Sequence, residues 1–141
     1  MSFTPLEIAR VAALAADEKK ASDILLIDLT GKSDVCDYFL VMTAQNRRLA
    51  DAVIDEMVER VRVNCDVKPL SVEGRAEGTW ILLDYGPVVI HAFTPEARAY
   101  YRLERLWGDA PRVSLGLEGE LVEAEPGGEE PEELSAEDAG L

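Results

Sequence analysis

Two apolar runs in the second half of the chain are separated by only two residues, and this spacing constrains the fold more than any other feature. The runs are Trp80 to Tyr85 and Val88 to Phe93, with Gly86 and Pro87 between them. A connection this short joins antiparallel strands and leaves no room for a crossover helix. The sequence therefore predicts a β-hairpin, and with it a sheet against which the rest of the chain packs.

Three helices are predicted, because three segments combine a capping residue with an apolar face of helical period. Thr4, Pro5 and Glu7 form a capping box with proline at the first helical position, and the order Thr-Pro-Glu recurs at Thr94. The predicted helices run from Pro5 to Lys20, from Asn46 to about Asn64, and from Pro95 to near Trp107, with Gly108 as the last cap.

Three further strands are predicted from short apolar runs: Ile24 to Leu29, Tyr38 to Met42 and Pro69 to Val72. The order of elements is then α-β-β-α-β-β-β-α. Strands and helices mixed in this way form a single mixed β-sheet flanked by helices. The predicted fold class is α/β, of the α+β kind.

Charge divides the chain into two parts. The 141 residues carry a formal net charge of −14, and the stretch from Glu118 to Leu141 holds ten acidic residues and no lysine or arginine. We predict a domain over residues 1–113 and an acidic, disordered tail over residues 114–141. Residues 1–117 have a net charge of −4. This charge argues against direct nucleic-acid binding, which needs a clustered basic face, and favours a basic protein as partner.

The sequence predicts a cytoplasmic protein with no membrane span, no metal site and no cofactor. Its N-terminus lacks the basic start and apolar run of a secretory signal, and no apolar run nears the ~20 residues that a membrane helix needs. The two cysteines, Cys36 and Cys65, are far apart and the chain has one histidine, His91. These residues are too few for a zinc site, so both thiols are predicted to pack in the core.

Catalysis has two candidate locations, and both have simpler interpretations. Asp34 and Asp37 are three positions apart, whereas carboxylates that share a metal on a strand stand at i and i+2. Hydrogen bonds within a turn account for them equally well. His91 shares strand parity with Val89 and Phe93, which favours a packed histidine over a catalytic base.

The segment from Gly78 to Pro111 is the strongest candidate for a working surface. It holds both tryptophans, three of the four tyrosines and the only histidine. On its helix, Ala99, Leu103 and Leu106 are predicted to face the core. Arg98, Tyr101, Glu104 and Arg105 are then turned towards the surface or its edge. Aromatic residues and arginine are the types that anchor protein interfaces, whereas the alternative is that the large rings only fill the core.

At this segment the chain resembles the Iojap family of ribosomal silencing factors (RsfS). The positions that carry the resemblance are Trp80 to Gly86, Val88 to His91, Arg98, Tyr101, Leu103, Glu104, Leu106, Trp107, Asp109 and Ala110. The likeness extends upstream through Ser33, Asp34 and Asp37 to Phe39, and covers roughly Pro5 to Pro111.

The resemblance implies a function that no spacing predicts. Proteins of this family bind the large (50S) ribosomal subunit through its fourteenth protein, at the intersubunit face. They block association with the small (30S) subunit and repress translation under nutrient limitation. The fold is similar to a nucleotidyltransferase domain without its active site, and free members are often described as dimers. The partner-binding residues that the resemblance implies are Asp84, Tyr85, Arg98, Tyr101, Glu104 and Trp107.

In this interpretation Tyr85, Tyr101 and Trp107 supply contact area, whereas Asp84 and Glu104 pair with basic residues of the partner. The sequence leaves open whether Trp107 belongs to the core or to the interface. Two other functions are alternatives: a nucleotidyltransferase-like enzyme that uses Asp34 and Asp37, and a generic dimeric adaptor that ignores ribosomes.

Overall fold

A computed structural model describes residues 3–122, and its two long helices start where the capping residues predict. Helix α1 (Pro5–Glu18) opens with the capping box: Thr4 Oγ1 accepts a hydrogen bond from Glu7 N, and Glu7 Oε1 accepts one from Thr4 N. Helix α2 (Arg47–Cys65) is capped by Asn46, whose side chain accepts from Leu49 N at 2.8 Å. None of the helices within residues 3–122 is long and apolar enough to cross a membrane.

One mixed sheet of six strands organises the described part of the chain. The strands are β1 (Ser22–Asp28), β2 (Tyr38–Thr43), β3 (Ser71–Glu73), β4 (Trp80–Asp84), β5 (Val88–Phe93) and β6 (Arg112–Val113). Their order across the sheet is β3-β4-β5-β2-β1-β6, and only β2 and β5 run parallel. The predicted hairpin, β4 with β5, is confirmed, as is the single mixed sheet of an α+β fold. The likeness to a nucleotidyltransferase stays a prediction.

The two sides of the sheet are covered differently. On the helix face, which we define as the side under α1 and α2, alternate residues such as Leu26, Leu40 and Ile90 form the main core with both helices. On the opposite side, Val41, Val89 and Phe93 belong to two smaller clusters. We call this second side the aromatic face.

The predicted last helix, Pro95 to Trp107, is wrong as a single element. It is broken into α3 (Pro95–Tyr101) and α4 (Leu103–Leu106) by Arg102, which adopts a left-handed backbone conformation with φ 49°. Arg102 N still donates to Arg98 O, so the residue caps α3 and redirects the chain. Gly108 lies beyond the end of α4 and caps neither helix. The sequence did not mark the break, because arginine is a good helix former and left-handed residues are more often glycine.

The break changes which side chains face the core. Ala97 and Arg98 are buried, whereas Ala99 is exposed and Leu106 is 71% exposed. The predicted core positions of Ala99 and Leu106 are therefore wrong, because they assumed a continuous helix. Leu103 does pack against the cluster of Val41 and Phe93.

After Pro111 the chain returns to the sheet. Strand β6 pairs antiparallel with β1, and further along Ile24 N donates to Gly119 O at 2.9 Å while Leu121 N donates to Ile24 O at 2.8 Å. Two residues are too few to predict β6 from the sequence. The boundary at residue 113 and the acidic tail stay predictions, and residues 123–141 of that tail lie outside the described part.

Candidate docking surface on the aromatic face

A continuous line of rings crosses the aromatic face. In order they are Trp107, Phe39, His91, Trp80, Tyr101 and Tyr100, and we call them the aromatic row. Successive ring centroids are 6.1, 4.8, 6.0, 4.6 and 5.0 Å apart. All five distances fall within the range of direct aromatic contact. Three neighbouring strands and the segment after them therefore contribute to one surface.

The row is buried at its centre and exposed at one end. His91 is 4% exposed, Phe39 and Trp80 are partly buried, and Tyr101 and Tyr100 are 51% and 80% exposed. The register of the hairpin fixes the positions of the ring residues that lie on strands. In this register Trp80 pairs with Phe93 and Leu82 pairs with His91. Large aromatic side chains held rigidly at a surface are typical of interface anchors.

His91 is a structural residue that orients Trp80. Trp80 Nε1 donates to His91 Nδ1 at 3.1 Å, and the ring of Phe39 meets that of His91 edge-on. Burial lowers the pKa of His91 to about 4. The imidazole is therefore neutral at neutral pH, and its Nε2 has no hydrogen-bond partner within the described residues. The packing interpretation of His91 agrees with these contacts.

Arg98 is an internal anchor and not the surface residue that was predicted. Its guanidinium donates to Thr43 Oγ1 at 2.9 Å, to Asp23 O at 3.0 Å and to Glu104 Oε1 at 3.2 Å, and the residue is 8% exposed. The first two bonds tie α3 to β1 and β2. The third bond joins α3 to α4 on the two sides of the break at Arg102. The Arg98 side chain thus stabilises the segment that carries Tyr101.

The prediction that Tyr85 is presented at the surface is also wrong. Tyr85 is 5% exposed and packs in the main core under the helices, on the side opposite to the aromatic row. Burial raises the pKa of its phenol to about 12, and the hydroxyl has no partner among residues 3–122. Asp84, one residue earlier, has the parity of Trp80 and Leu82. It lies at the far end of β4, where its Oδ1 accepts from Gly86 N at 2.7 Å.

Trp107 contacts both a core cluster and the aromatic row. Its ring packs against the cluster of Leu25, Ile27 and Val89 and meets Phe39 at an interplanar angle of 89°. The side chain is partly buried, and its Nε1 is buried without an acceptor among the described residues. Trp107 is therefore fixed by the core and contributes the buried end of the row.

Of the six predicted partner-binding residues, the structure places Arg98, Tyr101 and Glu104 together at one end of the aromatic face. Trp107 and Asp84 lie elsewhere on that face, and Tyr85 does not lie on it. Phe39 and Leu82 were missed as surface candidates, whereas Trp80 and Tyr100 were in the candidate segment but not among the six partner-binding residues. The alternation of β4 carried a usable signal, because it puts Trp80 and Leu82 on the same side.

The loop considered for catalysis forms turn contacts. Asp28 accepts hydrogen bonds from the backbone and hydroxyl of Thr30, and Ser33 Oγ accepts from Val35 N. Over residues 3–122, no three or more histidine, cysteine or acidic side chains are grouped so as to hold a metal ion. Cys36 and Cys65 are buried free thiols, and burial is the main cause that raises the pKa of both, that of Cys36 to about 11.

Comparison with known proteins gives consistent relatives. A ribosomal silencing factor RsfS of Bacillus subtilis is 41% identical over 108 residues, which cover 77% of this chain and 91% of that protein. The mouse protein named mitochondrial assembly of ribosomal large subunit protein 1 is 30% identical over 92 residues, covering 64% of this chain and 40% of its own. A crystal structure of a protein from Chromobacterium violaceum matches with a TM-score of 0.72 and 27% identity, over 83% of this chain and 96% of that one.

The family resemblance inferred from the segment around the hairpin is thereby confirmed. The family model described as ribosomal silencing factor during starvation matches residues 3–139, nearly the whole chain. With this match and the relatives above, the chain belongs to the ribosomal silencing factor (RsfS) family.

Proposed function

We propose that this protein binds the large ribosomal subunit through its fourteenth protein, at the face where the small subunit docks. By occupying that face it prevents the two subunits from joining, and so represses translation when nutrients are limited. No bond is made or broken in this mechanism. The extent of repression depends on the affinity and the concentration of the factor, acting in the cytoplasm.

The observation that carries the proposal is the exposed end of the aromatic row. It lies on a chain that belongs to the ribosomal silencing factor family. Tyr101 and Tyr100 project from a rigid base, because Trp80 lies 4.6 Å from Tyr101 and is itself held by His91. Rings that are already ordered lose little conformational freedom on binding. A surface of this kind suits a specific protein partner.

Charge supports a basic partner. Glu104 follows Tyr101 by three residues and has only one carboxylate oxygen engaged by Arg98, and Asp84 lies on the aromatic face. Complementary charges at the rim speed association more than they add affinity. The printed name of the mouse relative also mentions the large ribosomal subunit, which agrees with this choice of subunit.

The test is the substitution Tyr101→Ala, measured by co-sedimentation with purified large subunits. We expect the affinity to fall by about tenfold or more, as for a central aromatic anchor. Leu14→Ala is the matched control: Leu14 is 43% exposed, but it lies on α1, across the sheet from the row. Glu104→Arg is a poor test, because it would place a second guanidinium beside Arg98 and disturb α3.

Circular dichroism of both variants checks that the fold is kept. If Tyr101→Ala sediments with large subunits as wild type does, the aromatic face is not the docking surface. If wild type sediments with large subunits and yet lets small subunits join them normally, occlusion is wrong as the mechanism. A second copy of the chain is the other candidate occupant of this face, and light scattering of the free protein and of Tyr101→Ala would reveal it.

A further inference from the structure

A cavity of about 630 Å³ opens at one end of the sheet, away from the aromatic row. It lies beyond the carboxyl ends of the parallel strands β2 and β5, where the chain enters α2 and α3. Its lining includes Asn46, Arg47, Arg48, Thr79, Thr94 and Glu96. In α/β proteins, the crevice outside the carboxyl ends of parallel strands is the usual place for a ligand.

One wall of the cavity is the N-terminus of α2, a helix of 19 residues. Asn46 caps this helix through Leu49 N, which leaves the N–H groups of Arg47 and Arg48 without an acceptor inside the helix. Free N–H groups and the positive end of the helix dipole favour an anion at this position.

The opposite wall supplies an independent sign of a ligand. Thr94 is the residue before α3 and is 5% exposed, yet its side chain makes no capping hydrogen bond. Within the described residues its hydroxyl has no other partner. Thr94 also lines the cavity, so its hydroxyl is available to a ligand bound there. Here the cavity is the open side from which a partner can come.

Two arginines bring positive charge to the same cavity. Arg47 is held in place, since its Nη1 donates to Glu77 O at 3.1 Å and its side chain packs on Gly78. A Cβ on Gly78 would come within 3.1 Å of Arg47 Cβ, so glycine lets the two segments approach closely. Arg48 is exposed and makes no ion pair within residues 3–122. Glu96 lies across the cavity and opposes an anion.

We propose that this cavity binds the phosphate groups of a small phosphorylated molecule of the nucleotide type. The phosphate would accept from the N–H groups at the start of α2, from Arg48 and from the Thr94 hydroxyl. The volume suits a ligand of this size, since small-molecule pockets run from roughly 300 to 1,000 Å³. The site is separate from the docking surface, although Thr94 N donates to Thr79 O next to Trp80.

The proposal is tested by calorimetric titration of the full chain with ATP and with inorganic pyrophosphate, in the presence of a metal chelator. The chelator removes any magnesium-dependent binding at Asp34 and Asp37. We expect saturable binding of both ligands in the wild type. Arg48→Gln is expected to weaken it about tenfold, a ratio typical of losing one charged hydrogen bond. Thr94→Val, which keeps the shape of the side chain, is expected to weaken it less.

Two further variants make the result specific. Glu96→Gln removes the opposing charge and is expected to tighten binding. Arg62→Gln makes the same change of charge as Arg48→Gln at the other end of α2, so it is expected to leave binding unchanged. The proposal is overturned if neither ATP nor pyrophosphate binds at millimolar concentration, or if Arg48→Gln and Arg62→Gln behave alike. Binding of a short single-stranded RNA without binding of ATP or pyrophosphate also overturns it.

Discussion

His91 shows how a single buried residue organises a surface. It accepts the indole N–H of Trp80 and packs against Phe39, so the middle of the aromatic row depends on a neutral imidazole. A charged imidazole at this place would lose its hydration without gaining a counter-ion. Burial therefore lowers its pKa to about 4, against an ordinary value of 6.5.

This shift predicts how stability depends on pH. Between about pH 6.5 and about pH 4 the unfolded chain binds a proton at His91 while the folded protein does not, so acid favours unfolding. The stability that the neutral residue contributes is complete above pH 6.5 and is lost as the pH falls towards 4. The full effect is on the order of 3 kcal/mol.

Urea unfolding of wild type and His91→Gln, at neutral pH and at about pH 5, measures this contribution. The glutamine side chain keeps an acceptor for Trp80 but does not titrate. We expect wild type to lose more stability than the variant over this interval. Equal losses would mean that His91 is not buried as a neutral group.

Sequence reasoning at the scale of single residues succeeded where strand parity decides the outcome. His91 was correctly placed beside Val89 and Phe93, because alternation along a strand fixes the side. It failed for Arg98 and Tyr85. The burial of Arg98 depends on acceptors at Asp23 and Thr43, which are distant in the sequence, and on Glu104, six residues further on. Tyr85 continues the alternation of β4 and shares the side of Ile81 and Leu83, so strand parity would have predicted its burial.

At the scale of elements, the turn between β3 and β4 fixes where β4 begins, at Trp80. Gly74 ends β3 with φ +88°, and a Cβ placed on it would lie 2.2 Å from Trp80 O. This contact is with backbone, which cannot rotate away. The turn therefore requires glycine for two reasons, its conformation and its closeness to the next strand.

Gly74→Ala is expected to destabilise the protein by about 3 kcal/mol or more, because it adds a backbone clash to the strain of the left-handed conformation. Gly31→Ala is the matched control, since Gly31 has φ +79° but nothing within 4 Å of an added Cβ. That variant should lose only the conformational part, about 1 kcal/mol. Thermal and urea unfolding of both variants give the comparison, and equal losses would contradict a clash at Gly74.

Elements with strong local signals were predicted closely, and those set by tertiary contacts were not. The caps at Thr4 and Asn46 marked the starts of α1 and α2 to the residue. The break at Arg102 was missed because it is stabilised by Arg98 and Glu104 in space and not by a helix-breaking residue. Of the six expected partner-binding residues, Arg98 lies in the interior because of this break, and Tyr85 is buried because it follows the alternation of β4.

At the scale of the whole molecule, more than half of the net negative charge lies outside the described residues. Residues 123–141 contain eight acidic residues and no basic one. A chain that ends at Val122 keeps 20 acidic and 14 basic residues, a net charge of −6 against −14. Ribosomal RNA carries dense negative charge, so the two chains differ in how strongly they are repelled by a ribosomal surface.

We expect the chain that ends at Val122 to bind large subunits more tightly than the full chain at low salt. The advantage should shrink as salt rises, because added ions screen the repulsion. Co-sedimentation over a series of salt concentrations measures it. A difference that does not change with salt would show that the removed residues act through contacts and not through charge. Ending the chain at Val122, and not at Leu117, keeps the hydrogen bonds that Ile24 makes with Gly119 and Leu121.

The parallel pairing of β2 with β5 has a consequence for when the protein becomes active. Tyr38 pairs with Val88, fifty positions further along the chain, so the middle of the sheet cannot close before β5 is available. The aromatic row takes residues from β2, β4, β5 and the segment after them. A nascent chain that has not yet released β5 has no docking surface to offer. Under the function proposed above, the protein cannot engage a ribosome through this face until β5 and the segment after it have been synthesised.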